Sequence, residues 1–333
     1  MKKPVTLIDI AKACNTSNVT VSKALADKSG VSEELRAKIK QVAEEMGYVP
    51  SKTVTSRKKS NIGVLIPEKY VGLSGSFYWT LYNSLVQRLK RENLYCVIEN
   101  LEYKDEQNLV LPNIVTDRKI SALISLGEIS HVYAQKLSEN VEHLILLDYY
   151  VPGLKVDSIV TNGYNGGYKL ANYLISLGHR RIGFIGSKKA TSSIFDRYMG
   201  YLKALIEHDL EIRDDWIIDD RDKYSDPIDL VFPKDMPTAF VCNCDEAAFQ
   251  AIKALREHGY AVPDDVSVVG YDNYLISEVS DPTITTISID AEYMAELTVN
   301  TLIQRLNDPS TVYRMRTIEG ELVIKNSVLP LNR

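Results

Sequence analysis

The chain has 333 residues, 45% of them hydrophobic and 25% charged. That suits about two globular folding units and excludes a disordered chain, a collagen or a membrane bundle. The net charge of -5 is unevenly divided: residues 1–60 hold 12 Lys and Arg against 6 Asp and Glu, and the rest hold 27 against 38, so a basic head that a polyanion would attract precedes an acidic body that it would repel.

The head reads as three short helices. Thr6 precedes Leu7, Ile10, Ala11 and Cys14, which share one helical face, and Asp9 completes a capping pair with Thr6. Asn15-Thr16 reads as a break. Ser17 caps a second helix with Val21, Ala24 and Leu25 inward. Gly30 ends the next connection, and Ser32 caps a third helix with Leu35, Ile39, Val42 and Met46 inward. Gly47 stands where a C-cap glycine belongs, and Pro50 stops the helix. So short a link between the first two helices predicts a helix-turn-helix whose second helix enters the major groove. Asn18, Val19, Ser22 and Lys23 lie on its outer side. Asn and Lys bond base edges, Val touches a thymine methyl, and Thr6, Ser17, Thr20 and Ser22 offer short hydroxyls to phosphates. The same hydroxyls would also serve as plain helix caps.

From residue 61 strands and helices alternate. Apolar runs at 61–67, 95–98, 120–125, 143–148, 181–186, 239–243 and 266–272 are separated by helical periodicity. The fold class predicted is α/β, with two doubly wound parallel-sheet subdomains behind the helix-turn-helix head. No run reaches the ~20 apolar residues of a spanning helix. No signal-peptide pattern follows Met1-Lys2-Lys3-Pro4, and four cysteines in such a chain predict reduced thiols in a cytoplasm. No phosphate loop, nucleophile elbow or H-E-x-x-H stands in the chain, so neither an enzyme nor a cofactor is expected. The five histidines lack the spacing to join Cys242 and Cys244 in a metal site.

Ligands of open α/β sheets sit beyond the carboxyl ends of the strands. Asp148, Thr161-Asn162, Asp245 and Asp272 stand at such ends, with Arg197 after a loop and Phe77-Tyr78-Trp79 in the first connection. Carboxylates and an arginine bond hydroxyls, and aromatic faces stack on a sugar's C–H face. Any one of these acids could instead cap the helix that follows it.

Residues 6–50 closely resemble the head of the LacI/GalR family of bacterial repressors, in the helix at 6–13, TVSKAL at 20–25, GVSEELR at 30–36 and AEEMGYVP at 43–50. The resemblance implies base reading by Asn18, Val19 and Lys23, and phosphate contacts by Thr6, Ser17, Thr20 and Ser22. Ala26-Asp27 stands where the family often has Asn-Gly. The family's hinge wedges a leucine into the minor groove. Here Arg57 stands near that place, with Val54 a smaller alternative, and an arginine suits a narrow groove better than a kinked one. The body resembles the family's core, which is similar in fold to periplasmic sugar-binding proteins, in GSFYWTL at 75–81, residues 159–186, PDDVSVVGYDN at 263–273, SDPTITTISID at 280–290 and EGELVIKNS at 319–327. It implies an effector cleft of Phe77, Tyr78, Asp148, Asn162, Arg197, Asp245 and Asp272. Cys244 replaces a usual Asn there, so a polar contact is lost or becomes apolar, and Thr161 stands where some members have an acid.

The implied organisation is a DNA-binding head at 1–50, a hinge at 51–60 and a core at 61–333. Its first subdomain spans about 61–160 and 291–320, its second about 161–290 and 321–333, joined by crossovers near 160, 290 and 320. The implied function is a cytoplasmic, homodimeric repressor whose affinity for operator DNA is set by a small molecule in the cleft. Tyrosine content and the aromatic loop at 77–79 favour a carbohydrate. A nucleobase or a protein corepressor on the first subdomain are the alternatives, and a stand-alone solute-binding protein is opposed by the basic head. Pairing is expected through the segment after Gly75 and the 247–254 helix. With no heptad repeat after Ile324, the expected assembly is a dimer.

Overall fold

The computed structural model describes residues 5–25, 29–46, 48, 61–71, 77–222 and 224–331. The expectations placed on Ala26-Asp27, Gly47, Pro50, Gly75 and the hinge at 51–60, with Val54 and Arg57, lie outside the described residues. The chain divides into two units, Met1–Lys58 and Lys59–Arg333.

In the first unit, helices α1 (Leu7–Ala13), α2 (Asn18–Leu25) and α3 (Glu33–Glu45) follow the predicted faces. Thr6 and Asp9 form a complete capping box on α1, and Ser32 caps α3. Asn15 turns the chain between α1 and α2 with φ 52°, a conformation Asn adopts more readily than most residues. Ile10, Ala11, Cys14, Val21, Ala24, Ile39 and Ala43 form the small core. Leu25, Leu35, Val42 and Met46 pack against it only partly buried.

The second unit holds two six-stranded sheets. Strands β1 (Asn61–Pro67), β2 (Tyr95–Leu101), β3 (Ala122–Leu126), β4 (Leu144–Leu147) and β5 (Asp157–Thr161) build the first. Strands β6 (Ile182–Ile185), β7 (Ile217–Ile218), β8 (Ala239–Cys242), β9 (Ser267–Asp272) and β10 (Thr285–Ser288) build the second. Late in the chain, β11 (Met315–Ile318) joins the first sheet and β12 (Glu321–Val323) the second. The orders are β11-β5-β4-β3-β1-β2 and β12-β10-β9-β8-β6-β7. Every pair is parallel except β12 with β10. That antiparallel edge was not in the sequence reading.

Burial alternates along the strands as a sheet covered on both faces requires. Ile62, Val64 and Ile66 of β1 pack on one side of the first sheet, whereas Leu65 packs on the other with Leu123, Leu144 and Leu146. The helices are α4 (Phe77–Arg91), α5 (Tyr103–Gln107), α6 (Asn113–Thr116), α7 (His131–Asn140), α8 (Gly163–Ser176), α9 (Ser192–Glu207), α10 (Asp245–Glu257), α11 (Leu275–Val279) and α12 (Ala291–Asn307). α4 packs on α12, and α8 on α9. The expectation of an exposed apolar helix at 247–254 needs correcting: Ala247, Ala248, Ala251 and Ile252 are buried in the core of the second sheet. The exposed apolar residues nearby are Leu275 and Val279 of α11.

The chain passes between the sheets after β5, after β10 and after β11. The first and third passages are tied together. Glu319 accepts from Asn162 at 2.5 Å and from Asn165 at 2.6 Å, and Lys169 donates to the Gly320 carbonyl at 2.9 Å.

Candidate functional sites in the head and the cleft

On α2, Asn18, Val19, Ser22 and Lys23 are exposed together while Val21 and Ala24 face inward. Val19 keeps 65% of its surface exposed, an arrangement that offers an apolar contact beside polar ones. The hydroxyls are not equally free. Thr6 donates its hydroxyl proton to Asp9 at 2.6 Å, so that proton is already spent on the cap. Ser17 accepts from the Thr20 backbone N–H at 3.1 Å, and the two hydroxyls lie 2.9 Å apart. One of the pair donates to the other, which leaves one proton for an outside acceptor.

In the second unit, side chains from the carboxyl ends of both sheets converge. After β4, Asp148 turns with φ 68°. Its Oδ2 accepts from the Tyr78 hydroxyl at 3.0 Å, while its Oδ1 is buried with no partner. Burial pushes the Asp148 carboxyl up to about 6, with the Arg197 charge and the Tyr78 bond opposing. Tyr78 stacks on Tyr70, ring centroids 4.2 Å apart, and the Tyr70 hydroxyl is also buried without a partner.

Facing them, the second sheet presents Arg197, Tyr271 and Asp272. Their placement depends on two glycines of α8. A Cβ on Gly167 would lie 2.0 Å from the Arg197 carbonyl oxygen, and one on Gly166 would lie 2.3 Å from the Tyr271 ring. Only glycine lets α9 approach this closely. The Arg197 guanidinium lies 3.8 Å from the Tyr271 ring centroid and donates to the Asn243 carbonyl at 2.6 Å. Its Nη2 stands 3.6 Å from Asp272 Oδ1, and its Nε is buried with no partner. Burial pushes the Asp272 carboxyl up, and Arg197 opposes that shift. The Tyr271 hydroxyl is a further buried group without a partner.

Further along this wall, Arg221 grips Asp220 with contacts of 2.7 to 3.2 Å, reaches Asn243 Oδ1 at 3.4 Å and lies 4.0 Å from Cys244 Sγ. The two lobes also touch directly. Glu128 Oε2 accepts from the Ser192 backbone N–H at 2.8 Å and from its hydroxyl at 2.6 Å, and Tyr103 packs edge-on against Tyr224 at 5.6 Å.

Tyr78 with Asp148, and Arg197 with Asp272, therefore face the cleft, the two acids from strand ends and the other two from α4 and α9. The other sequence-chosen residues are placed differently. Phe77 is buried in the core under Tyr78. Asn162 caps α8 and bonds Glu319, because it begins the first passage between the sheets. Asp245 is fully buried, accepting from the Thr286 hydroxyl at 2.6 Å and the Tyr274 N–H at 3.3 Å. Its carboxylate braces the second sheet. Cys244, not Asp245, caps α10, its sulfur accepting from the Ala247 N–H at 3.5 Å. Burial raises the Cys244 thiol to about 12, so it stays protonated. Tyr70, Glu128, Asp220, Arg221 and Tyr271 were missed. The first four follow β1, β3 and β7, and the rule applied to the other strand ends would have found them. Tyr271 reads as plain core in a strand. Among the described residues there is no metal-ligand cluster and no helix long and apolar enough to cross a membrane.

Two family models match the chain: bacterial regulatory proteins of the lacI family over residues 6–51, and the periplasmic binding protein-like domain over residues 171–328. The chain carries a LacI-family DNA-binding domain followed by a periplasmic binding protein-like domain. Relatives matched over 98% of this chain are transcriptional regulators and repressors. The ribose operon repressor of Haemophilus influenzae is 27% identical over 335 residues, covering 98% of this chain and 99% of that one. A transcriptional regulator CelR–cellobiose complex superposes with TM-score 0.69 at 22% identity, over 97% of this chain and 99% of that one. The lac repressor dimer bound to operator and the anti-inducer ONPF superposes with TM-score 0.67 at 22% identity, over 98% and 100%. The LacI-type match falls in the first unit and the periplasmic-binding-protein-like match in the second.

Proposed function

We propose that this LacI-family regulator is a homodimeric repressor. Residues 1–50 read operator DNA in the cytoplasm, residues 51–60 form the hinge, and residues 61–333 bind a polyhydroxylated small molecule between the two sheets. One observation carries the effector reading. Asp148 Oδ1, Tyr70 OH, Arg197 Nε and Tyr271 OH are buried without partners, two from each lobe. A buried polar group left unpaired costs roughly 1–3 kcal/mol, and a ligand rich in hydroxyls supplies donors and acceptors to all four. Tyr70, Tyr78, Asp148, Arg197, Tyr271 and Asp272 are the contacts proposed. The ribose and cellobiose named for similar proteins support the class of ligand, and the operator-bound dimer among them supports pairing on DNA. On α2, Asn18, Val19 and Lys23 are proposed to read bases, with Ser22 and the Ser17–Thr20 pair on phosphates.

A thermal-shift screen of sugars, sugar phosphates and nucleobases tests the reading. A ligand at 100 times its dissociation constant adds about 2.7 kcal/mol to stability, a clear shift in melting temperature. Any sugar hit is expected to lose most of its shift in Asp148→Ala. A hit on a nucleobase alone would replace the carbohydrate reading.

A further inference from the structure

The donors and acceptors of the cleft are not balanced. Asn243 lies between two guanidiniums, its carbonyl bonded by Arg197 at 2.6 Å and its side-chain oxygen by Arg221 at 3.4 Å. Asp220 occupies Nε and Nη2 of Arg221, leaving Nη1 without a partner among the described residues. Arg197 Nε is likewise unpaired and buried. From the opposite lobe comes Lys69, whose Nζ lies 5.0 Å from the Tyr70 ring centroid and has no hydrogen-bond or ion-pair partner among the described residues. Surrounding protein holds the Lys69 ammonium below the ordinary lysine value. Glu106 and Glu128 oppose that shift, and the charge of Arg221 adds to it.

Three cationic donors are therefore unsatisfied at this end of the cleft. Among the described residues, the fully buried carboxylate oxygen without a partner is Asp148 Oδ1. Asp220 and Asp272 each offset one guanidinium, and Glu106 and Glu128 act on the Lys69 charge, so what this end of the cleft leaves over is unpaired cationic N–H donors. Hydrogen bonds from cationic donors to an ionised acceptor are about twice as strong as neutral ones, and a guanidinium fork matches a carboxylate or phosphate.

Building on the effector reading above, we propose that the ligand is an acidic sugar: a polyol whose hydroxyls meet Asp148 and Tyr271 and whose carboxylate or phosphate lies against Arg221 and Lys69. Arg221 then sets the charge specificity of the cleft, and Asp220 holds its guanidinium in orientation.

Isothermal titration of the full-length protein with matched pairs tests this: galacturonate against galactose, glucuronate against glucose, and glucose 6-phosphate against glucose. At least one anion is expected to bind tenfold or more tightly than its neutral twin, and which one wins separates carboxylate from phosphate. The preference is expected to shrink at least tenfold in Arg221→Gln and in Lys69→Met, and to survive in part in Arg221→Lys, which keeps the charge without the fork. Lys69 stands on the other lobe from Arg221, so its replacement keeps the test open if the Arg221 variants fold poorly. A neutral sugar binding as tightly as its acid, or a preference untouched by both substitutions, overturns the acidic-sugar inference and leaves the polyol cleft standing. If no sugar of either kind binds at millimolar concentration while a nucleobase does, the polyol reading falls and the inference with it.

Discussion

Asp148 carries a burial cost in the unliganded protein that the sequence alone does not disclose. Its carboxyl is pushed to about 6, above the ordinary 3.8, chiefly by burial. An acid whose folded value is raised favours the protonated folded state. The stability contributed by Asp148 is therefore highest below about pH 4, falls as pH rises from about 4 to 6, and stays reduced above that by roughly 2–3 kcal/mol. Asp148→Asn removes this titration while keeping an acceptor for Tyr78. The difference in unfolding free energy between variant and parent is thus expected to grow in the variant's favour across that window. Denaturant melts at pH 4.5, 5.5 and 7 read it, and a difference flat with pH would mean that the carboxyl is not buried as described. In the head, each contact on DNA has its own signature. Lys23→Ala should relax preference at one base pair by about 1–3 kcal/mol, whereas Ser22→Ala should weaken binding evenly across sequences. Fluorescence anisotropy on operator and scrambled duplexes separates the two. Equal losses on both duplexes for Lys23→Ala would remove it from the reading set.

Elements show why some of the molecule was legible and some was not. Caps and faces are local, so Thr6, Ser32 and the inward residues of α1 and α2 could be read from spacing. The alternation of β1 to β4 is local too. The antiparallel return of β12 is not, because it depends on which sheet the chain re-enters after β11. The cleft is less legible still: Tyr70, Glu128 and Arg221 follow three different strands, and only the convergence of the carboxyl ends of the two sheets brings them to the cleft of Arg197 and Asp148. The pairing of α8 with α9 is the element on which that depends. At Gly167 an added methyl would meet backbone 2.0 Å away, and backbone cannot rotate aside as a side chain would. Gly167→Ala is therefore expected to cost about 1–3 kcal/mol or more in stability and to shift Arg197 with α9. Thermal melting gives the first quantity and effector titration the second. An unchanged melt would mean that the two helices separate at little cost.

At the scale of the molecule, function requires that an effector favour one arrangement of the two lobes over another, since equal affinity for both shifts nothing. The lobes are joined by three passages, two of them tied by Glu319, and they touch across the cleft where Glu128 holds the first turn of α9 at Ser192. Hydrogen bonds to a charged group contribute about 1.5–3 kcal/mol, less where solvent reaches them. Removing this contact should raise the population of separated lobes and lower the fraction competent to enclose a ligand. Apparent affinity falls in proportion to that fraction. Glu128→Ala is thus expected to weaken binding of whichever sugar the thermal screen returns by about tenfold and to increase the unliganded radius of gyration in small-angle scattering. Ser192→Ala removes the hydroxyl but not the backbone donor, so its effect should be smaller and should vanish in the Glu128→Ala background. Additive effects of the two substitutions would show that Glu128 contacts the ligand itself, and unchanged affinity in Glu128→Ala would show that the contact does not set the balance between lobes.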